Sequence, residues 1–196
     1  MAEERTARLS FEIDVDLMLP QAARLVQWAP EAEAMNTNQL AQQIGVKLRS
    51  HQLTLAVAES CTGGLLGDMI TDVPGSSDYF LGGVLAYSNQ VKQSLLAVRA
   101  ETLEIHGAVS PQCAAEMAQG VRRLLNCDVA LSVTGIAGPG GDTADKPLGL
   151  TYIHLSAPGC EQGMRAVWPG DRRANKLDSA WAALRLLLDY LEDRGS

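Results

Sequence analysis

An α/β/α sandwich of three layers around a mixed, mostly parallel sheet is the fold the sequence predicts, on three observations. Near-continuous apolar runs of strand length, LTLAVAE (53–59) and DVALSVTGIAG (128–138), read as strands buried on both faces, as parallel sheets require. Segments with a helical period alternate with strands through the middle of the chain, the order that builds parallel crossovers. Two further segments, LTYIHLS (150–156) and MRAVWP (164–169), flank APGCEQG and read as an antiparallel hairpin, which makes the sheet mixed.

Taken in order, residues 1–35 stand apart as an N-terminal extension. Leu9, Phe11, Ile13, Val15, Leu17 and Leu19 alternate with Ser10, Glu12, Asp14, Asp16 and Met18, a two-residue period expected of a half-buried strand that Pro20 ends. QAARLVQWAP then reads as a helical turn stopping at Pro30, and the extension is expected to pack on the main domain or on a partner subunit. Residues 36–196 form that domain. NTNQLAQQIGVKLRSHQ opens with Asn/Thr cap chemistry and reads as a helix. TGGLLGDMITDVPGSS is a helix stopped before Pro74 and Gly75, YFLGGVLAYS a second buried strand, and NQVKQSLL a short helix with Asn89 as its expected cap. SPQCAAEMAQGVRRLLN carries the clearest helix signals: Ser110 as cap, Pro111 in the first turn, Asn126 as terminator, and an apolar face of Ala114, Met117, Ala118, Val121, Leu124 and Leu125. The last helix starts near Asp171, with a stripe of Leu177, Ala180, Trp181, Leu184, Leu187, Leu188 and Leu191 for the core.

Composition narrows the function. The 196 residues suffice for one compact domain, 46% of them are hydrophobic, and the net charge is −7 with no lysine- or arginine-rich patch. Nucleic acid and anionic membrane are thereby poor partners, while a small anion held by local donors remains open. The four cysteines, Cys61, Cys113, Cys127 and Cys160, match no zinc or CxxC spacing and read as free thiols in a reducing compartment. The N-terminus lacks a secretory signal and no apolar run reaches membrane-spanning length, so a soluble, cytoplasmic protein is expected, with no metal and no cofactor.

In open α/β sheets, ligands sit beyond the carboxyl ends of the strands, which draws attention to ESCTGG, YSNQVK and TGIAGPGGDTADKPLG. Ser60 falls between a strand end and a glycine-rich helix start. It reads either as a cap or as a nucleophile, with the N–H groups of Thr62 and Gly63 near a developing oxyanion. A serine nucleophile needs a base. Of His51, His106 and His154, only His106 sits in a loop, and nothing pairs it with an acid. Lys92, one turn past Asn89, is the better base if desolvated and an ordinary solvated lysine if not; Tyr87 is placed to bridge the pair or bind a ring. The glycine-rich loop is neither a P-loop nor GxGxxG; with Thr134 and Thr143 it reads as a phosphate nest or as a plain surface loop, and Arg172 as a phosphate fork or a solvated arginine.

AESCTGG, AYSNQVK, GAVS, TGIAGPGG, KPLG and PGDRR, in this order, resemble the CinA C-terminal family, from about Asn38 to Leu191. The resemblance implies the three-layer fold and hydrolysis of the carboxamide of nicotinamide mononucleotide to nicotinate mononucleotide and ammonia. It implies Ser60 as nucleophile, Lys92 as base and Tyr87 as their companion. The glycine-rich loop, through Thr134, Gly138, Gly140, Gly141 and Thr143, would hold the nucleotide together with Arg172. A homo-oligomer is expected, a dimer first. The larger N-terminal domain of some members is not expected here, nor is its pyrophosphatase role, and residues 1–35 match nothing in the family. The alternative is a nucleotide-binding or adaptor module without catalysis.

Overall fold

The structure is a computed structural model that describes residues 23–25 and 37–194. The expected strand over Leu9–Leu19 lies outside the described residues. In chain order the elements are β1 (Ala23–Leu25), α1 (Thr37–Ser50), β2 (Leu55–Glu59), α2 (Leu65–Thr71), β3 (Phe80–Leu85), α3 (Asn89–Leu96), α4 (Ala100–Ile105), α5 (Pro111–Leu125), β4 (Val129–Gly135), β5 (Leu150–Ala157), β6 (Cys160–Val167) and α6 (Arg172–Asp193). The strands join in the order β1-β6-β5-β4-β2-β3. Pairings β1–β6, β4–β2 and β2–β3 are parallel; β6–β5 and β5–β4 are antiparallel. The sheet is therefore mixed and mostly parallel, as expected. Residues Ala23–Leu25, read from sequence as part of a helical turn, are instead a strand paired with Glu161–Gly163. An unpaired edge offers hydrogen bonds that a three-residue segment cannot make alone.

Alternation within the buried strands sorts the two cores. Leu55, Val57, Val129, Leu131 and Val133 pack with α1, α2 and α6 on one face. Ala56, Ala58 and Ala130 face the other way, and these small side chains let α5 lie close, with Met117 and Val121 filling the space. All five residues of β2 are buried. β3 is not a second buried strand: it is the sheet edge, and Leu81 and Leu85 are 47% and 57% exposed. An apolar run alone does not separate an edge strand from a central one.

The helix ends follow local chemistry. Ser110 Oγ accepts the N–H of Cys113, Pro111 occupies the first turn, and Asn126 ends α5 in the left-handed region. Asp171 accepts from Ala174 N–H at the start of α6. The cap of α3 is Ser88, one residue before the expected Asn89, with Oγ accepting from Val91 N–H. Leu124 and Leu177, assigned from sequence to buried stripes, are 50% and 37% exposed. The Pro158–Gly159 turn closes the β5–β6 hairpin, and Gly159 takes the positive φ (74°) that this tight turn needs.

Candidate active site

Four chain segments meet at one end of the sheet. β2, β3 and β4 run parallel, so the residues that follow them emerge together. β6, two antiparallel steps from β4, delivers the start of α6 to the same end. Between these segments lies a cleft of about 260 Å³ whose walls include Ser60, Tyr87, Lys92, Thr134, the Gly135–Gly141 loop and Arg172.

Ser60 is the first residue past β2. Its N–H continues the ladder to Val133 O at 2.9 Å, and its side chain is 9% exposed. Lys92 enters from α3. Helical side chains lean toward the N-terminus, which returns this one to the segment just before its own helix. Nζ lies 2.6 Å from Ala86 O, 3.4 Å from Tyr87 O and 3.0 Å from Ser60 Oγ. The side chain is 1% exposed, and burial pulls the amine below its ordinary value, outweighing a smaller upward push from Cys113 and Cys61. No carboxylate makes an ion pair with it among the described residues. The three oxygens match the three N–H groups of an ammonium, and an amine that has lost one proton keeps two for the carbonyls and offers its lone pair to the Ser60 hydroxyl.

Competing groups are disposed otherwise. Cys61 lines the same cleft, but burial pushes its thiol up to about 12, so it stays protonated and unreactive near neutral pH. None of the three histidines lines the cleft. His154 is buried against Glu161 at 2.7 Å, and the carbonyl of His106 accepts from Lys146 Nζ.

The turn after Ser60 is held by a residue that sequence reading passed over. Glu59, 1% exposed, closes β2 and folds its carboxylate onto the start of α2. Oε2 accepts from Gly64 and Leu66 N–H at 2.9 and 3.1 Å, and Oε1 from Gly67 N–H at 2.8 Å. Gly64, at φ 99°, reaches a cap position closed to most side chains. The helix terminus expected to face an oxyanion is thus occupied by the protein's own anion. Thr62 and Gly63 take no part in that bonding and are not among the cleft walls; Thr62 is fully buried. The readable signal was an acidic residue closing an otherwise apolar buried strand, because such a carboxylate must find donors.

Across the cleft, Thr134 Oγ1 donates to Ala108 O at 2.8 Å. The loop with Gly138, Gly140 and Gly141 is moored to α6: Arg172 donates to Gly138 O at 2.6 Å and the buried Asn175 to Ala137 O at 3.1 Å. Asn175 is a second residue absent from the sequence reading. Thr143 does not reach the cleft; it makes a tight turn with Lys146. Tyr87 lies at the rim with its side chain 67% exposed, and its carbonyl, not its ring, meets Lys92.

The family profile described as CinA C-terminal domain matches residues 37–191. The chain belongs to the CinA C-terminal domain family. Among curated relatives, a CinA-like protein of Nostoc sp. is 56% identical over 127 residues, 65% of this chain and 30% of that one. A CinA-like protein of Thermotoga neapolitana is 43% identical over 161 residues, 82% of this chain and 39% of the other. The chain thus spans 30–39% of the length of these curated relatives. The solved structure of the competence/damage inducible protein CihA from Agrobacterium tumefaciens superposes with a TM-score of 0.78 at 35% identity, covering 83% of this chain and 99% of that one. The likeness extends over the CinA domain that carries every wall of the cleft, and it agrees with the three-layer fold. Among the described residues no helix is long and apolar enough to cross a membrane.

Proposed function

We propose that this CinA-family domain hydrolyses the carboxamide of nicotinamide mononucleotide, giving nicotinate mononucleotide and ammonia. The observation that supports this reading most strongly is the buried Lys92 amine, 3.0 Å from Ser60 Oγ and without a carboxylate partner among the described residues.

In the first half-reaction Ser60 Oγ attacks the carboxamide carbon and its proton passes to Lys92 Nζ. The C–N bond then breaks, and Lys92 returns that proton to the departing nitrogen, releasing ammonia and leaving an ester on Ser60. In the second half, water attacks the ester while Lys92 takes a proton from it. Cleavage of the Ser60 ester then restores the hydroxyl with that proton. The oxyanion in both halves is met by backbone N–H of the turn after Ser60, where Cys61 stands in the cleft wall and Thr62 and Gly63 do not. The Tyr87 ring at the rim covers the pyridine, and the Gly138–Gly141 backbone with Arg172 holds the phosphate.

The test is incubation of the purified chain with nicotinamide mononucleotide, following ammonia and nicotinate mononucleotide together. Equal amounts of the two are expected, and neither with Ser60→Ala. Folded protein that releases no ammonia would overturn the reading.

A further inference from the structure

The first turns of α6 break two rules of helix design. Arg172, Arg173 and Lys176 all stand there, although the helix dipole disfavours cations at this end. Arg172 and Lys176 are also spaced i,i+4, where like charges repel. Among the described residues none of the three makes an ion pair. The Asp171 carboxylate caps the helix at Ala174 N–H and makes no ion pair with the three, and burial pushes the Asp178 carboxyl up. In a chain of net charge −7, these side chains nevertheless converge on one groove of about 310 Å³, with Leu65 and Leu177 as its apolar walls. Arg172 lines both this groove and the Ser60 cleft, so the two spaces adjoin at this residue. Lys176 reaches toward the nucleophile turn, its Nζ 3.5 Å from where a Cβ on Gly63 would stand. Local rules broken together, with no ion pair among the described residues to compensate, point to a functional site.

We propose that this groove is a polyphosphate site, which takes two or more linked phosphates of a small molecule. Arg172 grips one phosphate in a fork, Arg173 and Lys176 hold the next, and Leu65 and Leu177 offer a surface to a nucleobase. This goes beyond the hydrolysis reading, which needs a single phosphate.

Titration calorimetry of the full chain with inorganic tripolyphosphate, without divalent ions, tests the site independently of turnover. Saturable binding is expected, with no comparable heat from sulfate at matched ionic strength. The pair Arg173→Glu/Lys176→Glu should weaken it at least ten-fold. The neutral pair Arg173→Gln/Lys176→Gln should also weaken it, without the risk of placing new charge at the helix start. A second titration with adenosine triphosphate separates the sources. Tighter binding than tripolyphosphate, reduced to the same level by Leu177→Ser, assigns a nucleotide; equal binding assigns the phosphate chain alone. No saturable binding by the parent, or binding that both double variants keep, overturns the proposal. Ammonia release is measured on the same preparations, so either reading can fail while the other stands.

Discussion

Replacing Lys92 by methionine removes the amine while keeping most of the buried stem. The structure sets the size of the loss. A positioned base contributes about 10²–10⁴-fold, and nucleophile–base pairs act as a unit, with losses that reach about 10⁶-fold. No histidine lines the cleft and the Cys61 thiol stays protonated, so no base stands in reserve. A fall of about 10⁴-fold in kcat/KM is expected, about 5.5 kcal/mol at one decade per 1.36 kcal/mol. KM should change little, because Nζ bonds Ala86 O, Tyr87 O and Ser60 rather than the outer cleft. The base works only when neutral, so the parent rate should rise with pH and level off above the Lys92 pKa, which lies below the ordinary 10.5. Stability carries the same signature. Between the lowered folded value and 10.5 the unfolded chain binds more protons than the folded one, so stability rises with pH across that window. Below the window both states are protonated and the burial penalty is full. The assay is ammonia release from pH 6 to 10, with urea unfolding at both ends. A methionine variant within ten-fold of the parent would refute the reasoning, as would a flat parent profile. Full activity in Lys92→Arg, whose guanidinium stays charged, would do the same.

Ser60→Ala should abolish hydrolysis with an unchanged urea midpoint; turnover at the parent rate would remove Ser60 from the mechanism. Glu59→Gln keeps the shape but presents an amide donor where three N–H groups converge. It should lower stability by about 2–3 kcal/mol, from charge-assisted bonds of about that size, and lower kcat more than KM; unfolding curves and steady-state rates check both. Deleting residues 1–35 removes the β1 partner of Glu161–Gly163 and none of the cleft-lining residues among those described. Lower stability or a smaller particle by light scattering is expected, with activity retained per folded molecule, whereas loss of all activity in a folded truncation would show that the segment serves the site.

Much of the site was legible because its chemistry is local in sequence. Ser60, Lys92, Thr134, Gly138, Gly140, Gly141 and Arg172 were picked from loops that follow strands, and the topology brings those loops to one end. Whether Lys92 is a base or a solvated lysine was not legible, since burial depends on how α3 docks beside β2. Thr143 failed for a related reason: within a glycine-rich loop, sequence does not say which residues line the cavity and which form the far turn. Glu59 could be flagged as an acid closing a buried strand, but its partners are backbone N–H groups, which no residue type identifies. The buried character assigned to β3 came from apolar content, and edge position is a property of the whole sheet. The hairpin, the caps of α5 and the start of α6 near Asp171 were legible because short-range signals decide them, although β6 begins at Cys160, inside the segment read as the hairpin's connection.

The pairing of β2 with β3 has a role beyond cohesion. It is the gauge that sets Ser60 against Lys92. Glu59 stands opposite Leu85, and the next rung, Ala86 N–H to Glu59 O at 2.8 Å, fixes the carbonyl that holds the lysine amine. The amine is caged by its own neighbourhood, Ala86 to Lys92, while the hydroxyl arrives on a different strand. Only the register between the strands converts those two local arrangements into a 3.0 Å contact. One residue of slip is roughly 3.3 Å, as large as the contact itself, and it would also turn the strand's side chains to the opposite face. The sheet carries one irregularity in this pairing, between Leu55 and Ala56, where Leu81 is passed over. It falls at the far end of β2, so the phase is adjusted before the chain reaches the rungs that align the two reacting groups.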